Sequence, residues 1–125
     1  MNNKEEIIKQ IDIENFIWII YLGIIFLCFI SNDFEKQYYE TNNSDAKESY
    51  RLLNIIIFSI VFLVYIYYFL GSYNSVINLK DTDSGNAKLF NTLNFVASLL
   101  VVIAGGIFLY IAVSDDDLTT EIAFS

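Results

Sequence analysis

Histidine and proline are absent from this 125-residue chain, and cysteine, methionine and tryptophan occur once each. Without an imidazole, a Ser-His-Asp or Cys-His nucleophilic site has no base. Zinc, haem and iron–sulfur centres lose their usual ligands for the same reason. No cofactor and no metal are therefore expected. The single cysteine, Cys28, cannot close an intrachain disulfide. It falls inside an apolar run and reads as a small buried hydrophobe rather than a redox group. A glycine-rich phosphate loop is missing too, because Gly105-Gly106 lies in the middle of an apolar block. Basic residues are scarce: 7 Lys and Arg stand against 15 Asp and Glu, a net charge of −8. That balance argues against nucleic acid as a partner, since phosphates need Lys and Arg. It argues equally against a polybasic anchor on anionic lipid. The acids lie almost wholly outside the apolar blocks and read as solvated loops and tails.

What the chain has in quantity is apolar residues, 55% of the total, with a mean hydropathy of +0.47. A soluble domain of this size needs more polar surface than that. The apolar residues also gather into long blocks, which is the membrane signature. The longest block, Leu89–Val113, runs 25 residues without a charge, roughly 37 Å as helix and enough to cross a hydrocarbon core of about 30 Å with some tilt. Asn91, Ser98, Gly105 and Ala112 recur in it every seven residues, with Asn94 beside them. On a helix that spacing makes one narrow face of small or hydrogen-bonding groups, suited to close approach of another helix.

Taken in order, residues 1–15 place Ile7, Ile8 and Ile11 on one helical face, with Lys4, Glu5, Lys9, Gln10 and Asp12 on the others. A short amphipathic helix at the membrane interface is expected there. Acids accompany its lysines and no A-x-A-like site follows the apolar run, so cleavage as a signal peptide is not expected. Residues 16–30 form the first expected span, with Trp18 and Tyr21 near its start as interfacial aromatics. Residues 31–51 are polar and read as a loop leading into a second helix. Asn42-Asn43-Ser44 marks the break, and Ser44 is the expected cap. The same triplet is a formal N-x-S glycosylation acceptor, relevant only to a lumenal loop in a eukaryotic source. Residues 52–70 are the second span, closed by Tyr65, Tyr67 and Tyr68 at the interface and by Gly71 as a stop. Residues 71–88 read as a loop. Asp81, Asp83, Ser84, Gly85 and Asn86 invite comparison with a calcium loop, but the order is wrong and Thr92 stands where a bidentate Glu is needed. Ser84 or Asn86 is the expected cap of the third helix. Residues 89–113 are the third span, and the helix is expected to end by Ser114 because Asp115, Asp116 and Asp117 oppose its negative end. The tail 114–125 is acidic, and Leu118, Ile122 and Phe124 give it an apolar side that suits contact with a partner. Basic residues are nearly balanced across the expected membrane. Lys4, Lys9, Lys80 and Lys88 fall on one side, and Lys36, Lys47 and Arg51 on the other. The small excess favours an inside N-terminus.

The spans hold no Asp, Glu, Lys or Arg at their centres, which coupled transporters and pumps usually need. Paired carboxylates occur only in loops and termini, so an enzyme and a small-molecule substrate are not expected. Asn91, Asn94 and Ser98 would either bond across a helix interface, to Asn54 or Ser59 for example, or line an oligomeric pore.

The string NTLNFVASLLVVIAGGIFLYIAV with its acidic tail ending in EIAF, Asn91–Phe124, resembles short membrane proteins of AT-rich genomes. Two groups share its enrichment in Ile, Asn, Lys and Tyr. One is the small multi-pass membrane and minor capsid-type proteins of large double-stranded DNA viruses. The other is the small membrane proteins of low-GC Gram-positive bacteria, immunity-type proteins included. The resemblance implies a structural or interaction role and carries no catalytic residue.

The expectation is thus an all-α, multi-pass integral membrane protein with three transmembrane helices and a short N-terminal interfacial helix. It would act without catalysis, as an assembly component of a membrane complex such as a virion internal membrane. Its partners would be the lipid bilayer and other membrane or capsid-type proteins, itself included. The helix-packing face would be Asn91, Asn94, Ser98, Gly105 and Ala112. The partner contact would be Asp115, Asp116, Asp117, Leu118, Ile122 and Phe124. The alternatives are a bacterial immunity or regulatory membrane protein and a holin-like pore former.

Overall fold

The computed structural model describes residues 2–115, and among them there are three helices and no strand. Helix α1 is Asn2–Thr41, α2 is Ser44–Ile77 and α3 is Gly85–Ser114. Each is long and apolar enough to cross a membrane. The chain divides into two compact units within α2, one up to Ile57 and one from Phe58 onward.

α1 is one unbroken helix of 40 residues. The separate helix expected over residues 1–15 and the loop expected from residue 31 are both part of it. Lys, Glu and Gln recur in these polar ends and are good helix formers, and no proline interrupts them. Side chains on the polar end also bond along the helix. Gln37 Nε2 donates to Asp33 Oδ2 at 3.0 Å, and Thr41 Oγ1 donates to the Gln37 carbonyl at 2.7 Å.

The turn between α1 and α2 is two residues long. The Asn42 N–H still donates to the Tyr38 carbonyl at 2.8 Å, while Asn42 itself turns to φ 54°, the left-handed region that asparagine tolerates better than most residues. Asn43, rather than the expected Ser44, caps α2. Its Oδ1 accepts from the Asp45 N–H at 2.9 Å and the Ala46 N–H at 3.4 Å.

Gly71 does not stop α2. A helical glycine costs only about 1 kcal/mol relative to alanine. The Ser75 hydroxyl donates to the Gly71 carbonyl at 3.1 Å, and the helix continues to Ile77. The second connection is closed by Asp83, whose Oδ2 accepts from the Lys80 N–H at 2.6 Å. Ser84 then caps α3, accepting from the Ala87 N–H at 3.0 Å. α3 ends at Ser114, and the Asp115 N–H donates to the Ile111 carbonyl at 2.8 Å.

Within the first unit, α1 and the start of α2 run antiparallel around the asparagine turn. Ile17, Ile24 and Ser31 are buried at seven-residue intervals on α1, and Ala46, Tyr50, Asn54 and Ile57 are buried on α2. The ammonium of Lys47 sits 5.7 Å from the centre of the Tyr38 ring, just inside the turn. Within the second unit, the rest of α2 and α3 are antiparallel as well. Phe58 pairs with Phe108 at 6.0 Å between ring centres, and Phe69 and Tyr73 meet Phe95 at 5.4 and 6.0 Å.

The left-handed residue yields a test of the turn. Asn42→Val puts a β-branched side chain at φ 54° and is expected to destabilise the helical hairpin by about 1–2 kcal/mol. Asn42→Gly should be close to neutral. Unfolding in mixed detergent, followed by circular dichroism, compares the two; equal stability of the variants would contradict this account.

Candidate functional site

Ser31 closes the seven-residue series on α1 that begins at Ile17. Asn54 lies near the start of the apolar part of α2. Each is eleven residues from its side of the Asn42-Asn43 turn, so an antiparallel pair of helices brings them level. The Ser31 hydroxyl donates to Asn54 Oδ1 at 2.9 Å. Both residues are buried, with 3% and 6% of their surfaces exposed. A buried pair of this kind favours one relative height of the two helices, since sliding either by one turn breaks the bond and strips the Asn54 amide oxygen of its Ser31 donor. Asn54 therefore finds its partner on α1.

The candidate face on α3 is occupied unevenly. Gly105 and Ala112 are buried, Asn91 and Ser98 are half-buried, and Asn94 is exposed. The polar members bond their own helix. Asn91 Nδ2 donates to the Ala87 carbonyl at 2.8 Å, and the Ser98 hydroxyl donates to the Asn94 carbonyl at 2.8 Å. The i−4 carbonyl of a helix accepts a second hydrogen bond readily, so these side chains need no cross-helix partner.

At Gly105, α3 lies directly against side chains of α2. A Cβ placed on it would lie 2.9 Å from Tyr65 Cδ2 and 3.3 Å from Phe62 Cδ1. The two rings of α2 thus occupy the space a side chain would take. Gly106 is less constrained, with its nearest ring atom, Phe62 Cε1, at 3.4 Å. Gly23 on α1 has open space where its Cβ would be.

Of the proposed tail contact, only Asp115 lies among the described residues, and its backbone caps α3. Asp116, Asp117, Leu118, Ile122 and Phe124 lie outside them. Cys28 is half-buried within α1. Among the described residues, no group of three or more His, Cys, Asp or Glu side chains gathers in a way that could hold a metal ion.

The Ser31–Asn54 pair is a contact that residue patterns alone leave unpaired. Its signal is present in the sequence, as two polar residues equally distant from a break. Reading it requires α1 to continue as helix past Ile30.

No protein-family model, no curated protein and no solved structure matches the chain.

The glycine contact makes a graded prediction. Gly105→Leu is expected to destabilise the second unit by about 2–3 kcal/mol through overpacking. Gly23→Ala is expected to be neutral or stabilising by up to about 1 kcal/mol, since it adds helix propensity in open space. Parallel unfolding curves checked by circular dichroism distinguish them, and a Gly105→Leu protein as stable as the wild type would contradict the close approach.

Proposed function

We propose that this chain is a three-span integral membrane protein with a non-catalytic role, acting as an assembly component of a membrane complex. One observation carries the membrane part of the reading. The burial pattern is inverted relative to a protein in water. Among the described residues, thirty-one large apolar residues are exposed, including Phe16, Trp18, Phe26, Phe29, Leu100 and Tyr110, while eight hydrophobic residues are buried. Water would penalise that surface by roughly 1.5–3 kcal/mol per large side chain. Hydrocarbon removes the penalty, and helices satisfy every backbone group within one segment.

The non-catalytic part rests on chemistry. The chain has no histidine, its one cysteine lies in an apolar segment, and its acids flank the spans. Binding and packing are what the remaining groups support. α1 continues as helix on both sides of its apolar segment, so its ends reach through the headgroup zones as rigid extensions. Residues before Asn15 carry Ile7, Ile8 and Ile11, which suit insertion among headgroups. The acidic residues from Asp115 onward are the proposed contact for another membrane or capsid-type protein. The resemblance of Asn91–Phe124 is to two groups, and of their settings a viral internal membrane beneath a capsid is the one proposed here, with a low-GC bacterial membrane as the alternative.

Cross-linking with mass spectrometry, on the full chain in its native membrane, tests the role. Lys80, Lys88 and the acidic tail are the reporters. Reproducible links from the tail to a different protein are expected. Links only between copies of this chain, together with ion conductance in planar bilayers, would contradict the assembly role in favour of a pore.

A further inference from the structure

α1 has the shortest apolar band of the three helices. Phe16, Trp18, Leu22, Phe26, Phe29 and Ile30 are exposed along it. Exposed Asn15 and Asn32 close its two ends. Those amides are seventeen residue steps apart, or about 25 Å at about 1.5 Å per residue. An ordinary hydrocarbon core is about 30 Å thick. Carboxylates follow immediately, at Glu14 and Asp33, and the nearest lysines, Lys9 and Lys36, lie beyond them. Short Asn and Asp side chains cannot snorkel to the surface as a lysine does. Both ends of the band are therefore firm.

The first unit supplies an independent marker of one end. The Ser31–Asn54 hydrogen bond holds α1 and α2 level. The apolar run of α2 starts at Leu52, beside Arg51, so both helices of the unit leave the apolar zone at the same height. The other two helices run further without a charge, α2 from Leu52 to its end at Ile77 and α3 from Leu89 to its end at Ser114. Excess apolar length is absorbed by tilting, whereas a helix that is too short cannot lengthen. The shortest band then decides which bilayer fits.

We propose, on the basis of the membrane-spanning reading above, that α1 makes this protein selective for bilayers with a thinner than average hydrocarbon core. The surface between Asn15 and Asn32 is the site that contacts the acyl chains, and lipids with short chains are its preferred partners.

Trp18 is the only tryptophan in the chain and lies within the band, so the protein carries its own probe. The full chain is reconstituted with a brominated phosphatidylcholine that quenches tryptophan. Dimyristoleoyl, dioleoyl and dierucoyl phosphatidylcholine are then compared as competitors. Dimyristoleoyl lipid is expected to relieve quenching with about threefold or greater relative affinity over dierucoyl lipid, the size that a few ångströms of mismatch produces. The double variant Asn15→Leu, Asn32→Leu lengthens the band and should shift the preference toward longer chains. Equal competition by all three lipids, or strongest competition by dierucoyl lipid, would overturn the selectivity while leaving the spans in place. So would a double variant that keeps the wild-type order. Absence of quenching in every vesicle would overturn the membrane-spanning reading as well.

Discussion

A chain that turns most of its large apolar side chains outward can satisfy its backbone polar groups only inside its own helices. In the proposed setting no water is available at the exposed surface, and each unbonded amide or carbonyl would cost several kcal/mol. Three helices of 40, 34 and 30 residues are the result. The same constraint governs the polar side chains. Ser72, Ser75, Asn91, Thr92 and Ser98 all donate to carbonyls three or four residues back on their own helix. These bonds let hydroxyls and amides enter apolar segments without a partner from elsewhere.

Specific contacts set how neighbouring helices meet within each unit. In the proposed bilayer, lipid would compete with any apolar side chain for the same surface, so hydrophobic burial alone would not hold two helices together. In the first unit the buried hydrogen bond from Ser31 to Asn54 ties the two helices in register, with Lys47 over the Tyr38 ring nearer the turn. In the second unit register falls to shape, with Phe62 and Tyr65 against the bare backbone of Gly105 and aromatic pairs above and below it. Polar specificity in one unit and steric fit in the other are two solutions to the same problem.

Most of the architecture was legible in the sequence because the apolar blocks are long and uncharged. The break at Asn42-Asn43, the cap at Ser84 and the end of α3 by Ser114 follow from local chemistry that nothing distant overrides. The ends of α1 and α2 did not follow. Polar segments such as Asn32–Thr41 suit both an exposed helix and a loop, and only continuation from an apolar helix already formed selects between them. Gly71 carries a stop signal in composition, but its backbone keeps ordinary helical geometry and the helix passes through it. The site was partly legible. Seven-residue spacing located the series through Gly105 and Ala112, both buried, but placed exposed Asn94 with it. Spacing also suggested cross-helix bonds for Asn91 and Ser98, which bond their own helix. Depth along a hairpin, not spacing along one helix, decides which polar groups can meet.

Polarised infrared spectroscopy with hydrogen–deuterium exchange, on the full chain in aligned bilayers, tests the central claim most directly. The account predicts that the helices stand closer to the bilayer normal than to its plane. It also predicts an exchange-resistant set of amides close in number to the three apolar runs together. Helices lying in the membrane plane, or amides of Leu89–Val113 that exchange freely, would contradict it.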